Sequence, residues 1–256
     1  MKVFHMPAKA CLVVIGNEIL SGRTQDANTI FIARRLAELG IALESVHIIP
    51  DRAARIVETV NLCRAAYDYV FTTGGIGPTH DDITARCIAD AFGVQLTVHQ
   101  ETFDALMHAM GAEKFNAARQ RMAYLPHGAQ PIKCAASVAP GFRIGNVYVL
   151  AGVPRIMQSM FDALAPTLQK GPPLISATWR GRIGEGALAA GLENIQSRFA
   201  ELDLGSYPYE SAAGVHSVAL VAKGYVPDRV AAASQEIRQL FLELGVTPEE
   251  GEPPVD

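Results

Sequence analysis

The densest group of chemically useful residues is Thr73, Gly74, Gly75, Ile76, Gly77, Pro78, Thr79, His80, Asp81 and Asp82, which follows a short apolar run and leads into a helical pattern. Three glycines in four positions permit a tight loop with exposed backbone N–H groups, and such donors beside a helix N-terminus favour an anion. A phosphate is the natural guest, held by Thr73, Gly74, Gly75, Ile76 and Gly77 with Thr79 beside them. The spacing is neither the dinucleotide-binding Gly-x-Gly-x-x-Gly nor a P-loop, because no Lys-Ser or Lys-Thr pair follows the last glycine. A plainer reading is that the glycines only turn the chain and that Thr79 and Asp82 form a capping box at the helix start. The acidic groups weigh against it, since a carboxylate beside a phosphate is unfavourable unless a cation lies between them. Asp81 and Asp82 therefore point to Mg²⁺ or a similar hard divalent ion, which takes oxygen ligands from carboxylates and from substrate phosphate.

Two further carboxylates stand at the ends of strand-like runs. Glu18 follows the run ending at Ile15, and Asp51 follows the run ending at Ile49. In a parallel sheet the carboxyl ends of the strands share one edge, where open α/β folds bind ligands. Glu18, Asp51 and Asp82 are thus expected to converge, with Asp82 and Asp51 as metal ligands and Glu18 completing the shell or positioning water. Each carboxylate taken singly also reads as a solvated turn residue. His80, Arg119 and Arg121 are open between substrate contact and plain exposure. No Ser/His/Asp set and no His-Glu-x-x-His occurs, so covalent catalysis is not expected.

The elements that must position these groups are legible in the hydrophobic pattern. The run from Ala10 to Ile15, rich in β-branched residues and ended by Gly16, suits a central strand covered on both faces. Ile32, Leu36 and Leu39 recur at helical spacing from Asn28, and Gly40 supplies a stop. A strand at Val46 to Ile49, a helix around Ile56 to Ala66 and a strand at Tyr69 to Thr73 continue the alternation. Such βαβ units predict a mostly parallel sheet with helices on both faces, a three-layer α/β/α domain. A helical run spans Glu101 to Met110, and Gly145-Asn146 between Phe142 to Ile144 and Val147 to Leu150 predicts a tight hairpin. Pro154 opens a helix carrying Ile156, Met160, Leu164 and Leu168 on one face. Gly171, Pro172 and Pro173 mark a boundary, which gives domains 1–172 and 173–246. The second is expected to be a small α+β unit with two helices on one face of a three-stranded sheet. Residues 247–256 are expected to form a disordered tail.

With 256 residues, 49% apolar and 19% charged, the chain is expected to be globular, and it has no apolar stretch long enough to cross a bilayer. No signal-peptide pattern precedes the first strand, so a cytoplasmic location and no membrane partner are expected. With Glu249, Glu250, Glu252 and Asp256 set aside, 22 basic residues face 22 acidic ones, which argues against a broad nucleic-acid footprint. Gly181-Arg-Ile-Gly184 has the Gly-x-x-Gly form of KH modules but joins a predicted strand to a helix, and no nucleic-acid partner is expected. Cys11, Cys63, Cys87 and Cys134 lie far apart with no Cys-x-x-Cys and no His at metal-ligand spacing, so reduced, buried thiols are expected.

Taken together, Gly16, Asn17, Glu18, Ser21, Gly22, Asp26, Asn28, Pro50, Asp51, the stretch Thr73 to Asp82, and Thr84 resemble the MoaB/MogA-type molybdopterin-binding domain in its CinA-like version. Arg119-Gln120, the segments Leu125 to Ala129 and Ala139 to Phe142, and Gly152-Val-Pro154 follow in CinA-like order. Gly184-Glu185 and the segment Gly205 to Pro208 resemble the small middle domain of the same proteins. The resemblance implies a domain that binds a small phosphorylated molecule, a nucleotide or a pterin such as molybdopterin. It implies substrate contacts from Asn17, Ser21, Asp26, Asn28 and Pro154, and self-association into a homo-oligomer. In CinA-like proteins it implies metal-dependent cleavage of ADP-ribose-like pyrophosphates, the function expected here. Binding of molybdopterin or a nucleotide without hydrolysis is the alternative, and adenylyl transfer to molybdopterin in molybdenum cofactor biosynthesis is a third. No segment resembles the amidohydrolase domain of some CinA-like proteins, so deamidation of nicotinamide mononucleotide is not expected. Lys133 to Ser137, Ala151 and Arg155 depart from the family pattern.

Overall fold

The computed structural model describes residues 7–210 and 216–253. The chain divides into two compact units, Met1–Gly171 and Pro172–Asp256.

The first unit contains β1 (Ala8–Ile15), α1 (Asn17–Leu20), α2 (Asn28–Glu38), β2 (Ile41–Ile49), α3 (Ala53–Ala66), β3 (Tyr69–Thr73), α4 (Thr84–Phe92), β4 (Leu96–Val98), α5 (Gln100–Met110), α6 (Ala117–Gln120), β5 (Tyr124–Pro126), β6 (Gln130–Cys134), β7 (Ser137–Ile144), β8 (Val147–Leu150) and α7 (Pro154–Leu164). Six strands form one sheet in the order β2-β1-β3-β8-β7-β6. β2, β1, β3 and β8 run parallel, and the β7–β8 and β6–β7 pairs are antiparallel. The expected hairpin is present, with Gly145 at φ 56° providing the conformation its two-residue loop demands.

Burial on both faces explains the unbroken apolar run of β1. Ala10, Leu12 and Val14 pack with Ile32 and Leu36 of α2 and with Met157, Met160 and Phe161 of α7. Cys11, Val13 and Ile15 pack on the other side with Ile56, Val60 and Cys63 of α3 and with Cys87 and Ile88 of α4. The result is the expected three-layer α/β/α arrangement. β2 starts at Ile41, five residues before the apolar run that signalled it, because its first half is only partly buried. The short pair β4–β5 lies outside the main sheet.

The second unit holds β9 (Ile175–Gly181), α8 (Glu185–Arg198), β10 (Asp203–Glu210), β11 (His216–Gly224), α9 (Pro227–Glu243) and β12 (Glu249–Glu250). Val218, Leu220 and Ala222 alternate along β11 and pack with Leu188 and Ile195 of α8 and with Val230, Ile237 and Phe241 of α9, so both helices cover one face. The sheet has four strands, β10-β11-β9-β12, where three were expected. The fourth comes from the segment expected to be a disordered tail: Glu249 and Glu250 pair with Arg180 and Trp179 of β9, and Arg180 adds an ion pair of 2.9 Å to Glu249. Gly251 N–H donates to the Thr178 carbonyl at 2.9 Å, and Thr178 donates its hydroxyl to Glu252 at 2.7 Å. Main-chain pairing therefore orders acidic residues that hydropathy alone marks as solvated, and residues 254–256 lie outside those described. No helix among the described residues is long and apolar enough to cross a membrane.

Candidate functional site

Parallel pairing brings the carboxyl ends of β1, β3 and β8 side by side, and the loops that leave them meet. After β3 the chain turns at Gly74 and Gly75, whose φ values of 102° and 67° lie in the region that favours glycine. A Cβ on Gly74 would stand 2.1 Å from the Ile15 carbonyl oxygen, and one on Gly75 would stand 2.2 Å from Thr84 Oγ1. Thr84, fully buried at the start of α4, donates its hydroxyl to the Gly74 carbonyl at 3.0 Å and its N–H to the Gly75 carbonyl at 3.0 Å. Gly74 N–H donates to the Leu150 carbonyl at 3.2 Å, tying the loop to the end of β8. Beyond it, the amides of Gly75, Ile76 and Gly77 make no hydrogen bond to another described residue.

Asp82 closes the loop. Thr79 donates both its N–H and its hydroxyl to Asp82 Oδ2, the former at 2.8 Å. The carboxylate lies against Gly77, where an added Cβ would be 2.7 Å from Oδ2. The Thr79–Asp82 contact resembles half of a capping box, yet α4 begins two residues after Asp82 with Ile83 at its cap position. The contact therefore shapes the loop and does not cap the helix. Arg121 donates to the Pro78 carbonyl at 2.9 Å, which places its guanidinium at the outer side of the same loop. Arg119 instead donates to the Lys114 carbonyl, and the exposed His80 lies 3.9 Å from Asp81. The Thr79 hydroxyl holds the exposed Asp81 carboxyl below its usual range.

The loop after β1 brings in Glu18. Its carboxylate folds back over Gly16, 2.6 Å from where a Cβ would sit, so a side chain at that position would displace it. Asp51, after β2, accepts the Asn17 N–H on Oδ2 at 2.8 Å and so anchors the first turn of α1. Ser21 donates to the Glu18 carbonyl at 3.2 Å. Asp26 accepts the N–H groups of Asn28 and Thr29 at 2.9 and 3.2 Å, and thus serves the start of α2. Asn28, only 6% exposed, donates Nδ2 to the Gly152 carbonyl at 2.8 Å while its Oδ1 has no partner. Gly152 in turn comes close to the loop, since a Cβ there would lie 3.2 Å from the Gly74 Cα.

These loops enclose a cavity of about 550 Å³. Of the residues expected at the site, Glu18, Gly74, Gly75, Ile76, Gly77, Asp82 and Pro154 border it. Thr73 is buried at the end of β3, and Thr79 acts on Asp82. Asn17, Ser21, Asp26, Asn28 and Asp51 support the surrounding loops and do not line the cavity. The three carboxylates of Glu18, Asp51 and Asp82 do not form a three-ligand cluster; among the described residues only Cys11, His47 and Cys63 do so. The wall also includes Thr24, Met122 and Met160, for which the sequence offered no local signal because they come from separate segments. Of the three departures from the family pattern, the segment Lys133 to Ser137 reaches the wall through Ser137, Ala151 is part of the wall, and Arg155 is exposed outside it. No lining residue is basic.

Residues 11–170 match the family model described as "Probable molybdopterin binding domain". Residues 173–250 match the one described as "FAD synthase, middle domain". A protein named "Probable FAD synthase" from Caenorhabditis elegans is 32% identical over 232 residues, covering 80% of this chain and 45% of the relative. The chain thus spans about half the length of that relative. A protein of Archaeoglobus fulgidus is 33% identical over 160 residues, covering 62% of this chain and 69% of its own. Among solved structures, CinA from Thermoplasma acidophilum, titled as a protein of unknown function, overlays with a TM-score of 0.60 at 28% identity, covering 64% of this chain and 99% of that one.

Proposed function

This chain belongs to the molybdopterin-binding domain family, and on that premise we propose that its cavity hydrolyses a pyrophosphate-linked adenine nucleotide, with ADP-ribose and flavin adenine dinucleotide as the substrates to test. The single observation that carries the reading is that Gly75, Ile76 and Gly77, whose amides have no hydrogen-bond partner among the described residues, border one cavity together with Glu18 and Asp82. The amides suit the oxygens of a phosphate. The flavin nucleotide enters because relatives carry the name FAD synthase and the second unit matches that protein's middle domain.

The residues fit a divalent ion in part. Asp82 and Glu18 border the cavity, and Mg²⁺ is commonly held by one or two carboxylates with substrate phosphate and water. Asp51 faces the Asn17 amide, so its part becomes that of a positioning residue for α1 and Glu18. A bound ion would supply charge neutralisation at the phosphates. Gly75, Ile76 and Gly77 would orient the anhydride, and Glu18 would position a water and accept its proton. The water oxygen bonds to one phosphorus, the bridging P–O bond breaks, and two phosphate monoesters leave, one of them AMP.

Separation of products after incubation with Mg²⁺, Mn²⁺ or Co²⁺ tests this, AMP being the expected product and chelator the expected stop. Absence of cleavage with every metal, or unchanged turnover in Asp82→Asn, would refute hydrolysis. A second reading, a non-hydrolysing binder of a phosphorylated pterin or nucleotide, is favoured by one feature: Asp82 Oδ2 already accepts two hydrogen bonds from Thr79. Retained binding without cleavage would support it.

A further inference from the structure

Three donors of soft character converge far in sequence from the phosphate loop. Cys11 of β1, His47 of β2 and Cys63 of α3 each place one ligand atom within 4.8 Å of the others. The two sulfurs are 3.2 Å apart, with the Cys11 thiol donating to Cys63. Ser45 Oγ lies 2.9 Å from His47 Nε2. Both cysteines are buried, whereas His47 is exposed, so the cluster has one polar, solvent-facing side.

An irregularity in the sheet creates this arrangement. Ala10 pairs with Leu43, but the register then shifts, and Cys11 pairs with Ser45 and Val13 with His47. Ala10 and Leu43 belong to the core beside α2 and α7, while Cys11 and Val13 belong to the core beside α3. An uninterrupted strand would keep Leu43, Ser45 and His47 on one face, because side chains alternate with a period of two. The bulge moves Ser45 and His47 to the face of Cys11, and re-aiming a side chain is a recurrent use of such bulges.

We propose that Cys11, Cys63 and His47 form a binding site for a thiophilic divalent ion of the zinc class, with its fourth position open to water or the Ser45 hydroxyl. Two sulfurs and one imidazole are a ligand set that zinc accepts and that hard ions such as Mg²⁺ do not favour. At zinc–sulfur bonds of about 2.3 Å, tetrahedral geometry separates two sulfurs by about 3.7 Å, roughly 0.5 Å more than here. A disulfide would require them to close by more than about 1 Å. The ion would bind the edge strand β2 to β1 and α3, through the opening that His47 leaves to solvent. This site is separate from the phosphate cavity, whose lining includes no cysteine.

The test uses the full chain, reduced and freed of metal, titrated with Co²⁺ and followed by optical absorption. Expected is a thiolate-to-cobalt charge-transfer band that saturates at one equivalent per chain and is displaced by Zn²⁺. Cys63→Ser should abolish the band, and His47→Ala, at an exposed position that leaves the core intact, should weaken binding at least tenfold. Cys134→Ser, outside the cluster, should change neither. No band with the wild-type protein, or the same affinity in His47→Ala, overturns the proposal. So does a fall from four reactive thiols to two on mild oxidation combined with no cobalt binding by the reduced protein, which would assign the pair to a disulfide.

Discussion

The contact between Gly75 and Thr84 offers a quantitative check on the phosphate loop. In Gly75→Ala the new residue must keep a φ of 67°, which costs an L-residue about 1–2 kcal/mol. Its Cβ would also lie 2.2 Å from Thr84 Oγ1, so the hydroxyl must rotate away and abandon the Gly74 carbonyl. Losing that buried hydrogen bond adds about 1–3 kcal/mol, for a total of about 2–5 kcal/mol. Thr84→Ala alone also loses the bond, at a similar cost of about 1–3 kcal/mol. In the double variant the bond is lost once and the backbone strain remains, because the nearest surviving atom, the Thr84 Cβ, is 3.3 Å away. The two changes are therefore sub-additive, with a coupling of about 1–3 kcal/mol, the bond counted twice in the single variants. Urea unfolding followed by circular dichroism measures each corner of the cycle. Additivity within about 0.5 kcal/mol would show that Gly75 and the Thr84 hydroxyl do not compete for this space.

Asp82→Asn should lower metal-dependent turnover at least about 100-fold while shifting the thermal midpoint little, since an amide oxygen still accepts from Thr79; product assays and a melt separate the two effects. Asp51→Ala removes the acceptor of the Asn17 N–H and should cost about 1 kcal/mol in urea unfolding, with a rise in KM larger than any loss in kcat. Burial, followed by the nearby Asp90, pushes the Cys87 thiol up to about 11 from an ordinary 9.0. The unfolded chain then ionises first, so this contribution is complete below pH 9, declines between pH 9 and 11, and is lost above. The urea midpoint should fall further from pH 8 to pH 10.5 in the wild-type protein than in Cys87→Ala, and equal falls would refute the assignment.

What the sequence disclosed depended on whether the cause was local. Gly74 and Gly75 are needed for positive φ and close approach, so their requirement is written at single positions. The runs of β1 and β3 are continuous because both faces are covered, and the Gly145-Asn146 turn follows from its own two residues. Strand ends placed Glu18, Asp51 and Asp82 on one edge, but direction was not encoded: Asp51 turned to the Asn17 amide and Asp26 to the start of α2. Thr24, Met122 and Met160 reach the cavity wall only through tertiary packing. The Cys11, His47 and Cys63 group was likewise hidden, because its donors lie on three elements and a bulge decides which face His47 occupies. Pairing to β9, not composition, orders Glu249 and Glu250.

The charge around the cavity makes one consequence sharper than turnover alone. Glu18 and Asp82 border it, none of its lining residues is basic, and Arg121, whose guanidinium donates to the Pro78 carbonyl, is not among them. At an effective dielectric of 20, a carboxylate about 5 Å from a phosphate charge opposes it by about 3 kcal/mol, so two oppose it by about 6–7 kcal/mol. Three amide hydrogen bonds to an anion return about 1.5–3 kcal/mol each, which leaves the balance near zero. Affinity for a pyrophosphate therefore depends on a cation before any bond is cleaved. A methylene-bridged ADP-ribose analogue, in which carbon replaces the bridging oxygen, isolates this step in a calorimetric titration. Its affinity should rise at least tenfold with Mn²⁺ over chelator, and Asp82→Asn, with one opposing charge removed, should lose most of that metal dependence while binding more tightly in chelator than the wild-type protein does. Equal wild-type affinity with and without Mn²⁺ would mean that the carboxylates do not face the phosphate, and the loop would then have to act without them.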